Sequence, residues 1–299
     1  MRIIISGSGG FLGNAFMGFC KKKGYPFLIL KRNGKTTISE LENQVVYFKS
    51  LLEEDLINNI KKFNPTVFVN FAWKDVGSNN RDSIDQFRNI NLVLESVELA
   101  HLVGCSKWLG LGSQAEYGLK NHQINENEDC VPISNYGKAK LASSIAALRL
   151  CESLGIQGIW ARVFSVYGEN DHPNALIPTL INKMILNEEV NVTECNQIWD
   201  YLYIDDAIEA IHSLISKNVS GVYNLASGHD IILKKVVNLI KKETKSNSII
   251  NFGAVPFSEN SVRQLSADNS KINQKTNWQS ETSLEEGIKK TVSYYLKNK

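Results

Sequence analysis

Short apolar runs alternate with stretches of helical spacing from residue 2 to Ala161. Ile3, Ile4 and Ile5 form a run of branched apolar residues, the signature of a strand buried on both faces. Asn14 to Cys20 reads as a helix behind it. Further strands fall at Phe27–Leu30, Val45–Phe48, Thr66–Ala72 and Lys107–Ser113. Helices fall at Leu56–Phe63, ahead of Pro65, at Gln86–Leu102, and from the Pro132–Lys140 stretch to about Leu154. This rhythm predicts an α/β chain: a doubly wound parallel sheet with helices on both faces.

The link between the first strand and the first helix carries chemistry. Glycines stand at 7, 10 and 13, with Phe11 and Leu12 between the last two. A strand that turns sharply into a helix leaves backbone N–H groups pointing at one spot, which suits a pyrophosphate. Gly7 makes the tight turn, Gly10 lets phosphates approach, and Gly13 lets helix and strand pack closely. The second strand ends in Lys31-Arg32-Asn33-Gly34, where an NAD site carries an acid for the ribose hydroxyls. Two cations there would neutralise a 2′-phosphate, so NADP(H) is expected in preference to NAD(H).

Tyr136 and Lys140 are four apart on an expected helix and share one face. A phenol is a poor acid or base at neutral pH. An adjacent ammonium would lower its pKa and could hold a nicotinamide ribose. Ser113, leaving a strand end, could hydrogen-bond the same carbonyl oxygen. The three give a ketone what it needs to accept hydride at carbon. Tyr295 and Lys299 repeat the spacing without a strand-end serine before them.

Composition narrows the classes. At 299 residues the chain suits two lobes, and a net charge of +2 without a Lys/Arg block gives no nucleic-acid signal. No apolar stretch approaches a membrane span, and the start lacks a signal peptide. Five scattered cysteines without a C-x-x-C read as reduced thiols in a cytoplasm. The histidines show no metal-ligand spacing, so no metal is expected.

The glycine spacing G-x-x-G-x-x-G, the strand-end Ser113 and the Tyr136–Lys140 helix, in that order, resemble the extended short-chain dehydrogenase/reductase family, whose members modify sugar nucleotides. The resemblance covers nearly the whole chain. It implies a Rossmann-like domain over 1–164 and about 198–216, and a smaller α+β C-terminal substrate lobe over about 165–197 and 217–299. It implies that Asn70-Phe71-Ala72 runs beneath the cofactor. Asn89, in Asn89-Ile90-Asn91, would steady the active-site backbone. Ser50 and Leu51 stand at the adenine place, without the family's Asp. Gln157 to Gly168 would be the sixth strand and its exit, with Phe164 near the cofactor and Ser165 replacing an Asn that touches substrate.

Gln197 to Asp206 resembles the family's R-D-F/Y-x-Y/H-V-x-D segment, with Trp199 where an Arg often binds the substrate diphosphate. Trp199 could instead stack on a base or sugar. Gly221 to Gly228, Ala267 to Lys271 and Trp278 also follow family order. Pro256-Phe257-Ser258 resembles a P-Y-R segment, and Arg263 is the candidate substitute for its missing arginine. Gln114 and Ala115 stand where 4,6-dehydratases carry an Asp and a Glu, and Ala115 where GDP-fucose synthase-like enzymes carry a Cys. Simple hydride chemistry remains, by a ketoreductase or a 4-epimerase.

The runs Gly112–Gly118 and Trp199–Tyr201 resemble nucleotide-sugar 4-ketoreductases of the CDP-abequose synthase type. The resemblance thus implies NADPH-dependent reduction of a nucleoside-diphosphate 4-keto-6-deoxyhexose, supplying deoxysugars for surface polysaccharide. The alternatives are a 4-epimerase with tightly bound NAD and a non-catalytic NADP-binding regulatory protein. It also implies a homodimer through a four-helix bundle built from the Gln86–Leu102 and Tyr136–Leu154 helices.

Overall fold

The computed structural model describes residues 1–32, 44–257 and 262–298. Its first half comprises β1 (Ile3–Ser6), α1 (Phe11–Lys23), β2 (Phe27–Arg32), β3 (Gln44–Phe48), α2 (Glu54–Phe63), β4 (Val67–Asn70), α3 (Asn89–Leu102), β5 (Lys107–Ser113), β6 (Gln123–Ile124), α4 (Asn135–Ser153) and β7 (Gln157–Val163). The second half adds β8 (Ser165–Tyr167), α5 (Leu176–Ile185), β9 (Val190–Val192), β10 (Ile198–Tyr203), α6 (Ile204–Ser216), β11 (Gly221–Leu225), β12 (Asp230–Ile232), α7 (Leu233–Thr244), β13 (Ile250–Phe252), β14 (Gln264–Ala267), α8 (Ser270–Thr276) and α9 (Leu284–Lys297).

Seven parallel strands form one sheet in the order β11-β7-β5-β4-β1-β2-β3. The isoleucines of β1 show why it is doubly wound. Ile3 and Ile5 point into one core with Phe16 and Cys20 of α1. Ile4 points into the other with Leu56, Ile60 and Phe63 of α2 and Val93 and Val97 of α3. Each such side chain, taken from water, contributes roughly 1.5–3 kcal/mol. A strand with apolar residues on both faces therefore requires helices on both faces.

A second sheet runs β12-β10-β14-β6, with β8 paired to β10, and β13 pairs β9. Two strands lie elsewhere than expected. Ile198–Tyr203, expected with the dinucleotide domain, is in this second sheet, because the chain changes sheets after β7 and β10 follows β8. Gly221–Leu225, expected in the lobe, covers the edge of β7 in the seven-stranded sheet, where bare backbone would otherwise be exposed. The buried Asp200 couples the two: its carboxylate oxygens accept from the Ser227 and Gly228 N–H groups at 2.7 Å each.

The helix expected from Gln86 begins as a 3-10 turn over Ile84–Arg88, and α3 proper starts at Asn89. The strand expected to reach Ala72 ends at Asn70, whose Oδ1 accepts from the Ser6 hydroxyl at 2.6 Å and from the Ala72 N–H at 3.1 Å. Among the described residues no helix is long and apolar enough to cross a membrane.

Candidate active site

At the end of β1, Gly7 has φ +74°, and a Cβ there would lie 2.5 Å from the Ala72 nitrogen. A Cβ on Gly13 would lie 2.3 Å from the Gly7 carbonyl oxygen. Both glycines are thus demanded by the turn itself. Gly10 is different: its Cβ would meet only the Gly7 oxygen, at 3.6 Å, and a Cβ on Gly9 would meet nothing. The N-terminus of α1 has no side-chain cap and no acid in its first turn. Open space beside an uncapped helix N-terminus fits a dinucleotide pyrophosphate. Phe11 and Leu12 are the first residues of that helix, half-buried.

Lys31 and Arg32 are exposed at the end of β2, with the Arg32 guanidinium 6.0 Å from the centre of the Phe48 ring. Asn33 and Gly34 lie outside the described residues. Leu51, expected at the adenine, has its side chain buried in the core beside Phe48 and Leu56. Asn89 is buried and clamps backbone: Oδ1 accepts from the Lys74 N–H at 2.8 Å, and Nδ2 donates to the Lys74 and Gln86 carbonyls at 3.2 Å each. Its polar atoms are spent on backbone at Lys74, after β4, and at Gln86.

Ser113 closes β5 and caps a short turn formed by Gln114, Ala115 and Glu116. Its hydroxyl accepts from the Ala115 N–H at 3.2 Å, while the Glu116 carboxylate accepts from the Ser113 N–H at 2.8 Å. Glu116 is fully buried. It also accepts from Trp160 Nε1 at 2.9 Å and from Arg162 Nε at 2.8 Å. The pattern Ser-x-x-Glu is a capping box, legible in the sequence but not used there.

Tyr136 sits in the first turn of α4 and is buried, with its N–H donating to the Arg81 carbonyl at 2.8 Å. Burial pushes the phenol above its ordinary value, opposed by hydrogen bonding with Ser113 and by the charge of Arg81, which lies 5.2 Å over the ring. The lowering expected from Lys140 is corrected by this arrangement. The Lys140 ammonium is 5.8 Å from the Tyr136 ring centre and donates instead to the Leu111 carbonyl at 2.6 Å. Burial pushes Lys140 down to about 7, with Glu116 opposing. Ser113, Tyr136 and Lys140 are therefore brought together, but the phenol is held as a protonated acid. Sequence reasoning missed Trp73, Gln86, Arg81 and Glu116, all of which touch or brace this group.

On the second sheet, Trp199 stacks on Tyr201 at 6.2 Å between centroids and packs among Tyr117, Phe164 and Leu265. Its Nε1 is buried without a partner among the described residues. Phe164 is buried against Tyr117, and Ser165 pairs in register with Tyr201. Arg263 is exposed and, with Asn196, Gln197, Pro256 and Phe257, lines a cavity of about 370 Å³. Ser258 lies outside the described residues. Among those described, no group of His, Cys, Asp or Glu is placed to hold a metal.

Comparison with known proteins places this geometry in context. The model of the NAD dependent epimerase/dehydratase family matches residues 3–226. CDP-abequose synthase of Salmonella muenchen is 27% identical over 301 aligned residues, covering 98% of this chain and 97% of that protein. The dTDP-4-dehydro-6-deoxyglucose reductase of Escherichia coli is 23% identical, covering 97% and 96%. Relatives with epimerase and dehydratase names match as well. Among solved structures, the UDP-glucose 4-epimerase of Thermotoga maritima with UDP-glucose superposes with a TM-score of 0.85 at 22% identity, covering 100% and 99%.

Proposed function

The chain belongs to the NAD dependent epimerase/dehydratase family, and from that premise we propose that it reduces a nucleoside-diphosphate 4-keto-6-deoxyhexose at C4 with NADPH. The observation that carries this is the Ser113–Tyr136–Lys140 group with Gln114 and Ala115 beside it. A ketone needs one acid and an orienting donor. Eliminating water or epimerising next to the carbonyl needs a further acid or base, which an amide and a methyl group do not supply. Two relatives bearing the names of an abequose synthase and a deoxyglucose reductase support a deoxysugar nucleotide.

A bound reduced nicotinamide supplies hydride to the carbonyl carbon. Ser113 orients the carbonyl oxygen. Tyr136 gives its phenolic proton to that oxygen as the C–H bond forms, so the ketone becomes a secondary alcohol. Burial of Tyr136 keeps that proton in place at neutral pH. Trp199, with its unpartnered donor, and Arg263, at the cavity rim, are the candidates for the diphosphate.

Purified protein tests the proposal. A reductase consumes one NADPH per product and carries no resident NAD. Protein that arrives with bound NAD and turns over with none added is a 4-epimerase instead. Turnover on a panel of keto-sugar nucleotides that disappears in Tyr136→Phe excludes a non-catalytic regulator.

The cofactor preference rests on Lys31 and Arg32. In Arg32→Asp, NADPH affinity falls at least about tenfold while NADH affinity holds or rises, because a carboxylate repels a 2′-phosphate and accepts from a 2′-hydroxyl. Fluorescence titration with both cofactors reads this, and equal change for the two contradicts it. A homodimer is also proposed. α3 and α4 pack together and leave Leu102 and Ile145 exposed, the second by 64%. A monomer in sedimentation equilibrium contradicts this.

A further inference from the structure

Lys140 is enclosed by rings. Its ammonium nitrogen lies 3.7 Å from the centre of the Trp73 ring and 5.8 Å from those of Tyr136 and Trp160. Trp73 is itself fixed from two sides. Its Nε1–H donates to Gln86 Oε1 at 2.8 Å, and its ring meets Tyr136 edge-on at 5.9 Å. Gln86 is 1% exposed, and its amide donates to the Asp75 and Asn80 carbonyls at 2.7 and 2.9 Å. Nothing in the family-like motifs asked for an aromatic ring directly after Ala72.

The charged groups on elements packed against α4 are mostly committed elsewhere. Glu116 and Arg162 pair with each other, as do Asp85 and Arg88 at the surface. Lys107 donates to carbonyls at the end of α6, and Arg81 covers Tyr136. Glu95, Glu98 and His101 on α3 are half-buried or exposed. Burial disfavours charge on Lys140, and Glu116 acts from behind its own ion pair. Two groups are left to favour the ammonium: the Leu111 carbonyl, which accepts from it at 2.6 Å, and the negative face of the Trp73 indole.

We propose that Trp73 is a positioning residue that keeps Lys140 an ammonium, so that the amine can serve the nicotinamide ribose and Tyr136. The proposal rests on the reading of Tyr136 and Lys140 as the reducing pair. Removing a contact that favours the charged form makes Lys140 lose its proton at lower pH. Burial pushes Lys140 down to about 7, so a contact that favours its charged form counts at neutral pH.

The test measures NADPH dissociation constants against pH, without sugar, by cofactor fluorescence. In the wild type, binding weakens as pH rises through the Lys140 titration. Trp73→Leu keeps apolar bulk without a π face and moves this limb down by about one pH unit. Trp73→Phe restores most of the wild-type position. Trp73→Met serves if the leucine variant does not fold. An unmoved limb with uniformly weaker binding overturns the proposal, since a merely structural role gives that result. Lys140→Met removes the limb. If the limb persists there, or if the wild type binds neither NADPH nor NADH, it is the reading of the reducing pair that fails.

Discussion

Tyr136→Phe lowers turnover of a keto-sugar nucleotide by about a thousandfold, within the range that general acids contribute, and changes NADPH affinity by less than about threefold. The ring survives, so its edge contact with Trp73 and its packing under Arg81 survive too. Only the hydroxyl is lost, with its proton and its hydrogen bond to Ser113. The loss therefore falls on kcat rather than on binding, because an interaction made only as charge develops on the oxygen has gone. Steady-state kinetics with NADPH titration measures both. A variant retaining a tenth of wild-type turnover removes Tyr136 from its role.

Glu116→Ala destabilises the fold by about 4 kcal/mol. The carboxylate is fully buried and receives three donors: the Ser113 N–H, the Trp160 indole and the Arg162 guanidinium. Alanine strands all three and leaves a guanidinium buried with no counter-charge, which is the expensive way to break an ion pair. Glu116→Gln keeps the shape and costs less, about 2 kcal/mol. Urea unfolding reads both. Because Glu116 also holds the backbone at Ser113, the alanine variant loses activity even at temperatures where it remains folded. A loss below about 1 kcal/mol means the pair is not closed to water, and the account of this corner fails.

The two-faced sheet was legible in the sequence because its strands are short apolar runs with no polar face. The isoleucines of β1 could be buried only by helices on both sides. Gly7 and Gly13 were legible because backbone contact leaves room for no side chain. Ser113, Tyr136 and Lys140 could be grouped as candidates because their order along the chain is itself a signal. What periodicity could not tell is which sheet a strand joins. β10 and β11 carry similar apolar patterns, and the choice between them is made by edge pairing and by Asp200.

The state of the proposed reducing pair was not legible either. Spacing put Lys140 on the face of Tyr136, but its nitrogen reaches the Leu111 carbonyl and the Trp73 ring, which lie on other elements. Glu116 was hidden for the opposite reason. Its capping-box spacing is local and visible, but its partner Arg162 is brought in by sheet pairing of β5 with β7.

NADPH carrying deuterium on the transferable position of its nicotinamide, incubated with nucleoside-diphosphate 4-keto-6-deoxyhexoses, tests the central claim most directly. The account predicts one deuterium per product, bonded to sugar C4, in step with NADPH consumed. Product that forms with hydrogen at C4 while NADPH is spared contradicts it.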